Sequence, residues 1–244
     1  MRYPNLLLVG VQKSGTTWLH RTLSMSRHIL GSKQKELNLF GRPDYQNRLD
    51  DYRANFVDHS KPTATYFLES TPHYFHAPTV ISDVASQIQE TIGDVRIMVV
   101  LRNPIERYRS AYTHHMQKRR LEYTSSISIL TDEQIMLATG LYGKILSHWR
   151  HIFPDMLVYS HDNLRSDRLD FLNRIFDDLG ITYDLDDDAI PGPTHTSSEK
   201  RIAAGWEDNP QLTPSLRARL IDYYRDDVEK LADLVDFDVF QWLE

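Results

Sequence analysis

The chain has 244 residues, 41% hydrophobic and 25% charged, with no cysteine and a formal net charge of −6. That length and composition suit one soluble α/β domain over residues 1–244, with a full core. The absence of cysteine excludes disulfides, thiolate metal sites and cysteine nucleophiles. The acidic balance gives no support for nucleic acid or an anionic membrane surface as partner, so a polyanionic substrate would need a local basic patch.

In chain order, apolar runs of strand type occupy residues 6–9, 65–68, 95–101 and 156–159. The stretches between them have helical character at 16–26, 79–92, 104 to about 120, 141–152 and 164–179. Pro104 suits a first helical turn, and Gly180 suits a C′ position. Strand–helix alternation predicts an α/β fold, a central parallel sheet flanked by helices. Pro191-Gly192-Pro193 breaks the pattern, 191–213 reads as an extended loop, and Pro214 opens a last helix. The tail 237–242 is expected to pack back on the domain. No apolar run approaches the roughly 18–20 residues of a membrane span. The run from Leu6 to Val11 is too short for a secretory segment, and the expected location is the cytoplasm.

The sharpest local feature follows the first strand. Gly10-Val11-Gln12-Lys13-Ser14-Gly15-Thr16-Thr17 has the glycine spacing of a Walker loop, but Thr16 stands where that motif has its lysine. Lys13, inside the loop, is its only lysine. Loop amides and a helix start still cradle an anion, while the ammonium serves a different group. The strand at 95–101 likewise delivers Arg102 to its C-terminal end, where α/β sheets hold ligands. Ser110 follows two helical turns later. An arginine fork and a hydroxyl suit a phosphate dianion. Arg107 and Arg109 are expected to pair with acids on a solvated helix face.

The displaced lysine followed by Gly-Thr-Thr resembles the 5′-phosphosulfate loop of sulfotransferases that use 3′-phosphoadenosine 5′-phosphosulfate (PAPS), in a P-loop-like fold. The strand–Arg102–x–Pro104–helix–Ser110 arrangement resembles their 3′-phosphate site. Lys35-Glu36-Leu37-Asn38-Leu39-Phe40 is similar to the segment carrying the catalytic glutamate in heparan sulfate 3-O- and N-sulfotransferase-like enzymes. Glu69-Ser70-Thr71-Pro72-His73-Tyr74-Phe75 is similar to their E-K-T-P-x-Y-F segment, and Gly140-Leu141-Tyr142 to a further common stretch. The matches run in order over residues 5–180. The sequence departs from that branch at Ser70, where the segment has lysine, and at Asn38, where it has histidine. The departures leave the acceptor open.

The resemblance implies transfer of a sulfuryl group from PAPS to a hydroxyl or amine of an unidentified small-molecule or saccharide acceptor, with 3′,5′-ADP (PAP) as product. Catalysis falls to Lys13 and Glu36, and nucleotide binding to Lys13, Ser14, Gly15, Thr16, Thr17, Trp18, Arg102 and Ser110. A basic loop carrying Lys200 and Arg201 adds to the nucleotide site. Glu69, His73 and His114 are candidate substrate contacts. Glu69 can orient Lys13 or a substrate group, or cap the Thr71 turn. His73, His114 or His115 competes with Glu36 as the base. No metal-ligand spacing occurs among the eleven histidines, and no metal is expected. A P-loop small-molecule kinase is the alternative, although the lysine before Ser/Thr and a Walker-B aspartate are missing. A nucleotide-binding scaffold without catalysis is disfavoured by the joint presence of Lys13, Glu36, Arg102 and Ser110.

Overall fold

The run from Leu6 to Gly10 has no polar face, so as a strand it needs cover on both sides, and every residue of it is buried. The computed structural model describes residues 2–57, 60–79, 82–192, 201–202 and 204–244. In chain order its strands and α-helices begin with β1 (Leu6–Gly10), α1 (Thr16–Leu23), β2 (Ile29–Gly31), α2 (Leu49–Arg53) and β3 (Tyr66–Ser70). Then come α3 (Val84–Ile92), β4 (Arg96–Leu101), α4 (Pro104–Gln117), β5 (Ser126–Ile127) and α5 (Tyr142–Ile152). The last are β6 (Leu157–Ser160), α6 (His161–Ser166), α7 (Arg168–Asp178), β7 (Gln211–Leu212) and α8 (Pro214–Ala232).

The chain divides into two compact units, Met1–Leu101 with His148–Gly192, and Arg102–Ser147 with Pro193–Glu244. The first holds a five-stranded sheet in the order β2-β3-β1-β4-β6, every neighbouring pair parallel. All five C-terminal ends therefore lie along one edge. Leu6, Leu8, Leu68, Met98 and Val100 join a core cluster with Trp18, Leu19 and Leu23 of α1 and Phe171, Leu172, Ile175 and Phe176 of α7. Their strand neighbours Leu7, Val9, Ile97 and Val99 point to the opposite face and are buried as well. Each such side chain contributes about 1.5–3 kcal/mol relative to an exposed one. The expected parallel sheet flanked by helices is what forms.

Several boundaries differ from the sequence pattern, each for a local reason. The helix expected from residue 79 starts at Val84, because Asp83 is extended and caps it, accepting from the Ser86 amide at 3.3 Å. The single helix expected over 164–179 is two. Asp167 is extended, and its Oδ1 accepts from the amides of Leu169 and Asp170 at 3.0 Å each, which ends α6 and starts α7. Gly180 does take the left-handed conformation, φ 65°. Of the expected loop 191–213, residues 193–200 and 203 lie outside the described residues, and within the remainder β7 pairs with β5.

In the second unit, Asn103 starts α4, its Oδ1 accepting from the amides of Ile105 and Glu106 at 2.9 and 3.3 Å, with Pro104 at the first helical position. Asp227 of α8 accepts from the amides of Gly143 and Lys144 at 2.8 Å each, covering the exposed donors at the start of α5. The tail packs inward as expected: Trp242 is buried, and its carbonyl accepts from Asn103 Nδ2 at 3.4 Å.

Candidate active site

In the first unit the segment after β1 turns sharply without wandering from the sheet. Val11 still donates to the Val100 carbonyl at 3.0 Å, so the strand ladder extends one residue past Gly10. A Cβ on Gly10 would lie 2.6 Å from Phe75 Cβ, hence only glycine fits there. Lys13 and Gly15 both have positive φ, 77° and 82°, and Gly15 is the residue that starts α1. Ser14 is wholly buried, and its hydroxyl donates to the Val11 carbonyl at 2.7 Å, bracing the loop from inside. Thr16 and Thr17 supply the first helical amides, which have no partner four residues back. Trp18 turns away from the loop into the core, its indole N–H donating to the Pro191 carbonyl at 2.7 Å.

Next to β1, β3 brings Glu69 and Ser70 to the same sheet edge, and the chain leaving β2 brings Lys35 and Glu36 beside them. The Glu36 amide donates to the Ser70 carbonyl at 3.0 Å, and the backbone there is left-handed, φ 62°. The Glu36 carboxylate is exposed and pairs with Lys35 Nζ at 2.6 Å. Asn38 Nδ2 donates to the Glu36 carbonyl at 2.6 Å, fixing the turn.

Glu69 is fully buried. It accepts from Thr71 Oγ1 at 2.5 Å, so it caps the Thr71 turn, one of the two roles its position offered. Burial pushes its carboxyl up to about 7, against the opposing pull of Thr71, the Leu37 amide and Lys35. His73 follows on the exposed turn after β3.

The structure adds a residue that the sequence did not single out. His20, in α1, is buried with its Nδ1 2.8 Å from Ser70 Oγ. Burial, then the charges of Lys35 and Arg21, lower it to about 4, so it is neutral at ordinary pH. Its spacing from Thr16 on the inner face of α1 was the only sequence clue.

In the second unit, Arg102 directly follows β4 and is half-buried, and Ser110 lies half-exposed on α4. Arg109 pairs with Glu106 at 3.0 Å, as expected. Arg107 does not. Its side chain is buried, its Nη2 donates to the Met136 carbonyl, and among the described residues no carboxylate lies within ion-pair distance. The arginine recurs on the inner face of α4, where burial rather than solvent meets it. His114 and His115 lie in the last turn of α4 with rings 5.6 Å apart, His115 being buried. Arg201 donates to the Glu207 carbonyl at 3.0 Å, and Lys200 lies outside the described residues. Among the described residues no cluster of three or more His, Asp or Glu side chains has metal-binding geometry, and no helix is long and apolar enough to cross a membrane.

Human heparan sulfate glucosamine 3-O-sulfotransferase 6 is 30% identical over 191 residues, covering 74% of this chain and 53% of that protein. Human bifunctional heparan sulfate N-deacetylase/N-sulfotransferase 2 is 28% identical over 201 residues, covering 74% of this chain and 22% of that protein. The chain thus spans about a fifth to a half of the length of these relatives. The crystal structure of a sulfotransferase from Alicyclobacillus acidocaldarius superposes over the whole of both chains with a TM-score of 0.75 at 22% identity, a likeness of fold. The profile of the sulfotransferase domain matches residues 3–200, through segments of both units, and the chain belongs to that family.

Proposed function

We propose that residues 1–244 form a single sulfotransferase domain that moves the sulfuryl group of PAPS to a hydroxyl or amine of an acceptor. The observation that carries this reading is the loop between β1 and α1, where Lys13 stands inside the turn and Thr16 replaces the Walker lysine. Such a loop offers amides, a helix start and one ammonium to a phosphosulfate. PAPS, as donor substrate, supplies the sulfuryl group. Lys13 would neutralise charge gathering on the leaving phosphate and the sulfuryl oxygens, as in phosphoryl-transfer sites. Thr16 and Thr17 would add donors at the helix start, while Ser14 and Trp18 hold the loop and helix from behind.

Arg102 and Ser110 would hold the 3′-phosphate, with Arg201 and Lys200 as further cations. Glu36 would take the acceptor proton from its exposed position beside the sheet edge. This reading needs no metal ion, because Lys13 and the loop amides carry the positive charge. The acceptor is a small molecule or saccharide that Glu36 can reach, and the cysteine-free composition supports a cytoplasmic location.

Calorimetry with 3′,5′-ADP, 5′-ADP and ATP, each with and without magnesium, tests the reading. The expected outcome is selective binding of 3′,5′-ADP without magnesium. Selective, magnesium-dependent binding of ATP would instead favour a kinase, a reading that Thr16 at the Walker lysine position opposes.

A further inference from the structure

The turn that carries Glu36 hangs on β3 and the residues after it. The Glu36 amide donates to the Ser70 carbonyl at 3.0 Å, the Asn38 amide to Thr71 Oγ1 at 3.3 Å and the Leu39 amide to the Tyr74 hydroxyl at 2.8 Å. Glu36 and Asn38 are both left-handed, φ 62° and 47°, a conformation that is costly for residues other than glycine. Thr71 is the pivot of the attachment. It is wholly buried, and its hydroxyl donates to Glu69 Oε1 at 2.5 Å. A hydroxyl has one proton to give and lone pairs to receive with. Because the proton is committed to the carboxylate, a lone pair is left for the Asn38 amide. The Leu37 amide and Lys35, from the same turn, also favour the charged form of Glu69. Neither Glu69 nor Thr71 has any exposed surface with which to touch an acceptor.

We propose that Glu69 and Thr71 are positioning residues for sulfuryl transfer. Glu69 fixes the direction of the Thr71 hydroxyl, Thr71 anchors the Asn38 amide, and the anchored turn holds the Glu36 carboxylate where it takes the acceptor proton. The proposal rests on the reading of Glu36 as the base. It gives a buried carboxylate that no acceptor can reach a part in the reaction.

The test follows turnover of PAPS with water as the acceptor, read as release of 3′,5′-ADP. A bond forms from the water oxygen to sulfur, the sulfur–oxygen bond to the 5′-phosphate breaks, and one water proton passes to Glu36. The products are 3′,5′-ADP and bisulfate, which loses its proton to solvent. The wild type is compared with Thr71→Val, Thr71→Ser, Glu36→Gln and the Thr71→Val/Glu36→Gln double variant. Thr71→Val should lower kcat about 10–100-fold with 3′,5′-ADP affinity within about twofold, as a slightly misplaced catalytic group does. Thr71→Ser keeps the hydroxyl and should stay near the wild type. In the Glu36→Gln background, Thr71→Val should cost no more than about twofold, because the base it positions is already gone. An equal loss in both backgrounds, a matching loss of nucleotide affinity or an unchanged kcat would overturn the proposal. Glu36→Gln alone judges the underlying reading: unchanged turnover there removes the base, and the proposal with it. If Thr71→Val does not fold, Glu69→Gln takes its place in the same cycle under the same criteria. If water turnover is too slow to read, amide hydrogen exchange decides. Thr71→Val, or Glu69→Gln in its place, should then lose protection at Glu36 and Leu39 as well as at Asn38; no loss at Glu36 and Leu39 overturns the proposal.

Discussion

Glu36 and Glu69 lie at the same sheet edge, but an acceptor can touch only one of them. Glu69 is enclosed and committed to Thr71, so its work is to shape the turn after β3. Glu36 faces solvent, on a left-handed backbone whose N–H donates to the Ser70 carbonyl and whose carbonyl accepts from Asn38 Nδ2. A general base needs that reach before it needs any particular affinity for a proton. Glu36→Gln should therefore lower kcat by about 10²–10⁴ with 3′,5′-ADP affinity nearly unchanged. His73→Ala and His114→Ala should have much smaller effects. A tolerated Glu36→Gln beside an inactive histidine variant would transfer the role to that histidine. The assay should use a hydroxyl acceptor, since an amine already deprotonated at the assay pH needs less help.

Among the elements, β1 and the loop after it depend on one close approach. Phe75, beyond β3, donates its amide to the Val9 carbonyl at 3.0 Å and seats its Cβ where a Gly10 side chain would be. Gly10→Ala should cost about 1–3 kcal/mol by overpacking and weaken nucleotide binding as well, read by urea unfolding and calorimetry. Unchanged stability would mean that Phe75 yields easily. Long apolar runs such as 95–101 were legible in the sequence because a buried parallel strand has few alternatives. The three residues of β2 and the two-residue strands β5 and β7 were not, since so few residues carry no period. Asp167 hid its cap inside an otherwise helical pattern. Lys13 and Arg102 stand out as candidates from residue type and spacing, and Glu36 only through the resemblance of its segment. The burial of His20 and Arg107 was not, because on a helix the same residue types serve either face, and packing alone decides which.

For the molecule as a whole, His20 and Glu69 impose opposite dependences on pH. His20 is lowered from 6.5 to about 4, so the stability it allows is present above 6.5 and lost as pH falls through 4. Glu69 is raised from 4.5 to about 7, so its contribution is present below 4.5 and lost as pH rises through 7. Each shift corresponds to about 3 kcal/mol, and between pH 4.5 and 6.5 the two slopes nearly cancel. Glu69→Gln should uncover the histidine slope and lose stability as pH falls from 6.5 to 4. His20→Asn should uncover the carboxylate slope and lose stability as pH rises from 4.5 to 7. Urea unfolding across that range reads both, and parallel curves for all three proteins would contradict the assignment of either group.

The chain crosses between its two units three times, after Leu101, Ser147 and Gly192. No single cut can release either one intact. A fragment ending at Leu101 would lack β6 and the aromatic and aliphatic side chains of α7 that close the core over β1 and β4. The units therefore cannot be inherited or exchanged as cassettes. Changes in the second unit must arise in place, residue by residue or by lengthening its connections, while the three crossings keep it covalently joined to the first.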